Sequence, residues 1–292
     1  MGPRLARQSK SESGNRKSEK KLLNERKHCC SPFNLFPVLA SAFRLPIMLP
    51  KRPMPEPVTP SDPSQRPPRQ WVSFYFYELD RAFRQLPEAE QHEAKAEFAA
   101  VVRKYEESGT IVVPYATVGL RSGCDFFFWR IDYDMERLQN MQVELNHTQL
   151  GKHLHAVQSF LSMSKRSTYI DKIDPSHDET RTRIKPGRGK FIFVYPFVKT
   201  REWYLLHPQT RQGIMDEHIW VGNKYPTVKL NTTYSFGVDD QDFVVAFEGD
   251  YPEDFVELVQ ELRETDSSRY TVRDTPFYTG IKGTVEEVLD TL

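Results

Sequence analysis

Two stretches of similar sequence decide the fold: residues 117–132, TVGLRSGCDFFFWRID, and residues 234–250, YSFGVDDQDFVVAFEGD. Each stretch contains a run of aromatic and apolar residues that is typical of a buried strand. In both, glycine and polar residues precede that run, as they do in the turn of a β-hairpin. Because the two hairpins lie about a hundred residues apart, we expect the chain to contain one structural unit twice.

The sequence around the first hairpin predicts the order β-α-β-β-α. An apolar run, WVSFYFY, has strong β-propensity, and the segment that follows is rich in helix-forming residues with an apolar stripe. The predicted elements are a strand at residues 71–77, a helix at 88–105, hairpin strands at 110–120 and 124–133, and helices at 135–145 and 150–160.

The second half of the chain repeats this order. Its predicted elements are a strand at residues 191–195, a helix at 208–221, hairpin strands at 228–236 and 243–247, and a helix at 254–263. Two β-α-β-β-α units predict an α+β fold with two ferredoxin-like halves in one chain. Because each sheet carries helices on one side, we expect the two free faces to pack together and a pocket to form between a sheet and its helices.

The N-terminal tail differs in composition from the rest of the chain. Residues 1–55 hold 12 Lys and Arg against 3 Asp and Glu, while the remainder holds 28 against 37. The tail is charged and then rich in proline, which predicts a disordered, extended segment. An export signal within residues 33–49 and a translation start at Met48 or Met54 are alternative hypotheses for this region. The predicted domains are the tail at 1–69, the first half with its connecting loop at 70–189, and the second half at 190–292.

Composition also limits the classes of function. The acidic body gives no support to nucleic-acid binding. Three cysteines, two of them adjacent in the tail, form neither a disulfide framework nor a zinc-binding pattern. No apolar run is long enough to span a membrane. We therefore expect a cytoplasmic protein without a membrane span.

The segment at residues 191–218 carries the side chains best suited to chemistry. It is predicted to form a strand, a basic and aromatic turn, and a helix. One unit thus unites a phenol, an ammonium group, an indole and an imidazole, on Tyr195, Lys199, Trp203 and His218. This set suits a redox cofactor, with the imidazole for a metal, the phenol for electron or proton transfer and the cation for an anion. The alternative is structural, because a histidine near a helix C-terminus often stabilises the helix dipole and Trp and Tyr often belong to a core.

The loop between the halves is long and basic. Residues 171–189, DKIDPSHDETRTRIKPGRG, contain turn-forming residues and one histidine, His177. Basic side chains in and before this loop could clamp carboxylates; they are Arg166, Arg181, Arg183, Lys185 and Arg188. A solvated loop without a binding role explains the composition equally well.

Four longer runs carry a family resemblance. The runs YPFVKTREWYLL, MDEH, YPTVKLNTTYSFGVDDQDFVVAFE and RETDSSRYTVRDTPFYTG resemble the chlorite dismutase-like haem protein family, over about residues 70–283. The resemblance implies a dimeric α+β barrel of two ferredoxin-like halves, assembled into rings that are often pentamers. It implies one of two activities. Chlorite dismutases use haem b to convert chlorite to chloride and dioxygen. Coproheme decarboxylases use hydrogen peroxide to convert two propionates of iron coproporphyrin III to vinyl groups, which gives haem b.

The resemblance is closest to the decarboxylase branch, and it implies roles for single residues. By this resemblance His218 binds the iron, Tyr195 is the redox tyrosine beside the reactive propionate, and Lys199 orients that propionate and supplies a proton. The further implied positions are Trp203 beside the macrocycle, Arg183 and Ser267 at other propionates, and His177 for deprotonation of peroxide. The resemblance also implies a transient contact with the ferrochelatase that supplies the substrate.

Two departures from the family pattern separate the activities. Chlorite dismutases carry a distal arginine about thirteen residues after the iron-binding histidine, and that neighbourhood here holds Leu230 and Asn231. A guanidinium can hold an oxyanion, and neither of these side chains replaces it. Those enzymes also hydrogen-bond the histidine through a glutamate, whose place falls closest to Ser267. Both departures favour the decarboxylase. The alternatives are a haem-b chlorite dismutase or peroxidase and a non-catalytic haem carrier or sensor.

Overall fold

The computed structural model describes residues 68–167, 169 and 183–292. The tail that is predicted to be disordered, as far as residue 67, lies outside these residues. The first half contains β1 (Trp71–Leu79), α1 (Glu88–Glu107), β2 (Ile111–Ala116), β3 (Phe126–Asp132), α2 (Met135–His147) and β4 (Leu154–Met163). This order agrees with the prediction except at its end, where a strand stands in place of a helix.

The second half contains the predicted elements and four shorter ones. They are β5 (Phe191–Lys199), α3 (Arg201–Leu205), α4 (Pro208–Asn223), β6 (Lys229–Tyr234), β7 (Phe243–Gly249), α5 (Pro252–Glu264), β8 (Thr271–Arg273), β9 (Tyr278–Lys282) and α6 (Val285–Leu289). The elements α3, β8, β9 and α6 are too short for hydrophobic periodicity to indicate them. Among the described residues, no helix has both the length and the apolar character needed to cross a membrane.

Strand β4 corrects the helix predicted at residues 150–160. Leu150, Leu154 and Val157 recur at helical spacing, which is the pattern that favoured a helix. Instead, β4 pairs antiparallel with β1 along its length. The helix prediction is wrong because pairing with a neighbouring strand outweighs the local periodicity of a short segment.

The strands close into a barrel. The order around it is β7-β6-β4-β1-β3-β2-β9-β5, and β5 pairs with β7 to complete the ring, while β8 pairs with the end of β5. Strand β9 lies between β2 of the first half and β5 of the second. Gly280 permits this close pairing, because a Cβ at that position would lie 2.8 Å from the Cβ of Tyr115. The predicted α+β barrel of two ferredoxin-like halves is confirmed.

Successive side chains along each strand point alternately to the inside and the outside of the barrel. Phe127 and Trp129 belong to the apolar core inside the barrel. Outside the first half, Phe98 and Phe128 belong to a second core beneath α1 and α2. Outside the second half, a smaller cluster includes Phe193. Each half of the barrel therefore has an outer face with its own apolar cluster, and the cluster of the second half has fewer buried residues.

The helices cover the two outer faces unequally. In α1, five residues are buried, so this helix closes the outer face of the first half. Helix α4 holds the corresponding place in the second half, yet Val221 is its one buried residue. It packs chiefly against α5 and the 3-10 helical turn Asp266–Tyr270 rather than against the sheet. Helix α4 therefore closes the outer face of the second half less tightly, and the pocket expected between a sheet and its helices stays a prediction.

Candidate functional site

Strand β5 directs the first candidate residue to the outer face of the second half. Ile192 and Val194 lie in the barrel core, so Phe193 and Tyr195 face outward. The ring of Tyr195 lies 4.2 Å from that of Phe277 between centroids. Burial raises the pKa of the Tyr195 phenol well above its ordinary value. Its hydroxyl forms no hydrogen bond within the described part of the chain, so a protonated phenol is available to a ligand.

Lys199 ends β5, directly after a register shift in the ladder with β8. Its Nζ donates a hydrogen bond of 2.7 Å to the backbone carbonyl of Ser267. The same atom lies 4.8 Å from the centre of the Trp203 ring and 5.2 Å from that of Phe197, whose ring centre is 6.5 Å from that of Tyr195. Burial lowers the pKa of the ammonium group to about 8. Lys199 is therefore a cation at neutral pH that releases its proton more readily than an exposed lysine.

Trp203 lies on the short helix α3, which follows Lys199. Thr200 caps this helix, because its Oγ1 accepts a hydrogen bond from the backbone N–H of Trp203. The indole is buried and packs against the ring of Tyr270, with 5.5 Å between centroids. The capped helix thus keeps the indole beside the ammonium group of Lys199.

His218 reaches the same cluster from α4. Pro208 begins this helix, at the position where its missing N–H costs nothing. The Nδ1 atom of His218 lies 3.1 Å from the hydroxyl oxygen of Ser267. Burial, together with the positive charge of Lys199, lowers the pKa of the imidazole to about 4. The imidazole is therefore neutral at physiological pH, which is the form that binds a metal.

Ser267 connects the lysine and the histidine. Its backbone carbonyl accepts from Lys199, and its hydroxyl contacts His218. The sequence predicts that Lys199 and Ser267 bind propionates, whereas here their polar groups face each other and the imidazole. The ammonium group of Lys199 has three N–H donors, so it can bind a ligand carboxylate while it keeps its hydrogen bond to the carbonyl of Ser267.

The structure separates the two residues predicted at the distal position. Leu230 pairs with Phe247 in the ladder between β6 and β7, and both face outward. Asn231 is only 5% exposed, and its Nδ2 donates a hydrogen bond of 3.1 Å to Oε2 of Glu248 inside the barrel. Adjacent residues of a strand point to opposite faces. Of the two alternatives for the distal position, Leu230 lies on the outer face that carries Tyr195, and Asn231 lies on the inner face of the barrel.

The candidate residues of the connecting loop stand apart from this cluster. Arg183 is exposed. Its neighbour Ile184 is buried and donates its backbone N–H to Oε1 of Gln70 at 2.5 Å. His177 and Arg181 lie outside the described residues. The roles predicted for this loop therefore stay predictions.

The sequence did not indicate a role for Asp242 and Tyr204, which are hydrogen-bonded to each other next to Lys199. Oδ2 of Asp242 accepts a hydrogen bond of 2.8 Å from the backbone N–H of Lys199 and one of 2.7 Å from the hydroxyl of Tyr204. Tyr204 adjoins Trp203 on α3, and Asp242 directly precedes β7. No spacing rule indicates these contacts, because they join segments that are distant in sequence.

The chain as a whole is similar to known proteins. The family model described as chlorite dismutase matches residues 91–283, well over half of the chain. The chain belongs to the chlorite dismutase family. The coproheme decarboxylase of Mycolicibacterium smegmatis is 31% identical over 195 residues, which cover 66% of this chain and 82% of that protein. The chlorite dismutase of Ideonella dechloratans is 27% identical over 231 residues, which cover 77% and 80%.

Solved structures of the chlorite dismutase family share the fold. The chlorite dismutase of Candidatus Nitrospira defluvii in complex with imidazole is 26% identical and has a TM-score of 0.68, covering 76% of this chain and 94% of that one. The family contains haem-dependent enzymes. The residues present fit such a group. His218 offers a neutral imidazole, Lys199 offers an ammonium group, and the phenol of Tyr195 has no hydrogen-bond partner among the described residues. All three lie on a face that α4 leaves partly open.

Proposed function

We propose that the protein is a coproheme decarboxylase, which uses hydrogen peroxide to convert two propionates of iron coproporphyrin III to vinyl groups and so yields haem b. The observation that carries the proposal is the cluster in which Tyr195, Lys199 and His218 share the outer face of the second half. The 31% identity with the decarboxylase of Mycolicibacterium smegmatis supports it. In this proposal residues 190–292 bind the porphyrin, and residues 70–189 complete the barrel and supply the connecting loop.

His218 is the proposed iron ligand. Its ring is neutral, and the hydroxyl of Ser267 next to Nδ1 fixes the ring so that Nε2 remains for the metal. When bound, the iron porphyrin supplies the oxidising chemistry that peroxide drives. Trp203, packed between Lys199 and Tyr270, would line the macrocycle.

Tyr195 is the proposed redox residue. One propionic acid group and one hydrogen peroxide yield one vinyl group, one carbon dioxide and two water molecules. The phenol of Tyr195 stays protonated because burial raises its pKa. Once oxidised to a tyrosyl radical, it would take a hydrogen atom from the β-carbon of the propionate. Loss of carbon dioxide and of one further electron then leaves the vinyl group.

Lys199 is the proposed partner of the reacting carboxylate. Its ammonium group is buried, so a carboxylate that enters the pocket meets a cation with little competing water. With a pKa of about 8 it can also give up a proton near neutral pH. Arg183 and Ser267 are proposed to bind other propionates, and His177 is proposed to take a proton from peroxide.

The distal face favours the decarboxylase over a chlorite dismutase. Leu230 presents an apolar side chain on this face and cannot hold an oxyanion. A haem-b chlorite dismutase or peroxidase is the second candidate, because the chlorite dismutase of Ideonella dechloratans matches with 27% identity. From the family resemblance we also propose a cytoplasmic homo-oligomer, a pentamer, that receives its substrate from a ferrochelatase.

Mass spectrometry of the porphyrin distinguishes these candidates. Purified protein loaded with iron coproporphyrin III is titrated with hydrogen peroxide. The decarboxylase reaction gives two successive losses of the mass of formic acid and ends at haem b. Dioxygen release from chlorite by the haem-b form, without those losses, would identify a chlorite dismutase. Porphyrin that binds and only bleaches would indicate a peroxidase or a carrier.

A further inference from the structure

Asp242 joins three segments around the proposed site. Its Oδ2 accepts hydrogen bonds from the backbone N–H of Lys199 and from the hydroxyl of Tyr204. Its own backbone N–H donates to the carbonyl of Phe197 at 3.1 Å, and its carbonyl accepts from the N–H of Ser235 at 2.9 Å. One residue thus ties the end of β5, the helix α3 and the hairpin between β6 and β7 together.

The end of β5 and the helix α3 lack internal hydrogen bonding that would fix their conformation by itself. The register of β5 shifts between Val198 and Lys199, so the regular ladder does not set the direction of the lysine. Helix α3 has five residues, too few to be stable as an isolated helix. The directions of the Lys199 and Trp203 side chains therefore depend on bonds from outside these segments.

The hydroxyl of Tyr204 donates its hydrogen bond to Asp242. Burial and the hydrogen bond to Asp242 both raise the pKa of the Tyr204 phenol. The phenol therefore keeps its proton and points it at Asp242. Because Tyr204 adjoins Trp203, this bond also fixes the rotation of α3 about its axis.

We propose that Asp242 is a positioning residue, which aims Lys199 and Trp203 into the porphyrin pocket by holding the amide of Lys199 and the hydroxyl of Tyr204. The inference rests on the proposed function. Both bonds end on the same carboxylate oxygen. An amide oxygen in that place accepts the same two bonds, so Asp242→Asn keeps the geometry and Asp242→Ala removes it.

Hydrogen exchange of the porphyrin-free protein tests the geometry without any activity. In Asp242→Ala, we expect amide exchange at residues 199–206 to become about tenfold faster or more, because hydrogen bonds to a charged acceptor are lost. Tyr204→Phe accelerates exchange in α3 alone, and Asp242→Asn leaves exchange unchanged. Helix α5 serves as the internal control. Unchanged exchange in Asp242→Ala overturns the proposal, whether or not the protein decarboxylates porphyrin.

Kinetics test the catalytic consequence. With iron coproporphyrin III and peroxide, Asp242→Ala is expected to lower kcat about tenfold with KM within about threefold, and Asp242→Asn to restore kcat. Faster exchange with an unchanged kcat overturns the positioning role. If the wild-type protein forms no vinyl group, the proposed function fails, while the exchange data still decide the geometry. Should Asp242→Ala not fold, Tyr204→Phe replaces it, and an unchanged exchange in α3 overturns the proposal.

Discussion

The hydroxyl oxygen of Ser267 lies 3.1 Å from Nδ1 of His218. The same serine accepts a 2.7 Å hydrogen bond from Nζ of Lys199 through its carbonyl. One residue therefore touches both the proposed iron ligand and the proposed partner of the propionate. Because a hydroxyl orients the imidazole without adding a charge, the histidine in its proposed role would be a weaker donor to iron than one beside a carboxylate.

Ser267→Ala tests the contact with the imidazole. We expect the affinity for iron coproporphyrin III to fall about tenfold, because the ring of His218 loses the partner that orients it. Titration of the porphyrin by absorbance measures the affinity. Ser268→Ala is the matched control, since its hydroxyl donates to the carbonyl of Thr265 and does not face the histidine. Equal affinities in the two variants would contradict the role of Ser267.

His218→Ala tests the iron ligand. The variant should bind iron coproporphyrin III about 100-fold more weakly or worse, because the second-sphere contacts alone are worth about 10- to 100-fold and the ligand bond itself is lost. Metal-free coproporphyrin III should bind with nearly unchanged affinity, since it makes no bond to the imidazole. His207→Ala, at the start of the same helix, controls for damage to α4. An equal loss for both porphyrins would show that the histidine holds the fold and not the iron.

Tyr195→Phe tests the redox residue. The variant keeps the ring that packs against Phe277, so it should bind iron coproporphyrin III normally. We expect both propionates to survive peroxide treatment, because the hydroxyl that would abstract hydrogen is missing. Mass spectrometry of the porphyrin measures this. Tyr278→Phe, which alters a tyrosine of the barrel core, should still form both vinyl groups. Vinyl formation by Tyr195→Phe would exclude the radical role.

The pH dependence of turnover tests Lys199. Its pKa is about 8, so its charge disappears as the pH rises through that value. We expect kcat/KM for iron coproporphyrin III to fall about tenfold per pH unit above it, since the carboxylate loses its cation. Lys199→Arg keeps a charge at every accessible pH, and its profile should lack this fall. Identical profiles would place the titration on another group.

Glu248 gives the stability of the barrel a pH dependence of its own. Burial raises its pKa above the ordinary 4.5, although the N–H groups of Gly187 and Arg188 oppose this. Between 4.5 and the raised value, the folded protein holds a proton that the unfolded chain has released. The free energy of unfolding therefore falls as the pH rises through this window. Urea unfolding of Glu248→Gln should lack that fall, and an identical pH dependence in the wild type would contradict the assignment.

Much of the fold could be predicted because its signals are local. The two similar hairpins indicated the duplication, and the order of elements followed from periodicity. Strand β4 could not be predicted, because its apolar residues also fit a helix and pairing with β1 decides between them. Strand β9 could not be predicted either, since its five residues acquire a partner only when the two halves meet.

The candidate site also combines residues whose proximity the sequence predicts with contacts that only the folded structure shows. Tyr195, Lys199, Trp203 and His218 lie on one continuous strand–turn–helix segment, so their proximity follows from the sequence. The choice between Leu230 and Asn231 required the register of β6, because neighbours on a strand face opposite sides. The bonds of Asp242 to Lys199 and Tyr204 join segments far apart in the chain. They could be found only in the folded structure.

Deuterium labelling of the propionates tests the proposed hydrogen abstraction and the decarboxylation together. Iron coproporphyrin III that carries deuterium on the β-carbons of its propionates is bound to the wild-type protein, treated with hydrogen peroxide and analysed by mass spectrometry. We expect two vinyl groups, the loss of one deuterium with each, and a slower reaction than with the unlabelled porphyrin. Vinyl groups that keep all deuterium, or intact propionates in a protein that releases dioxygen from chlorite, would contradict it.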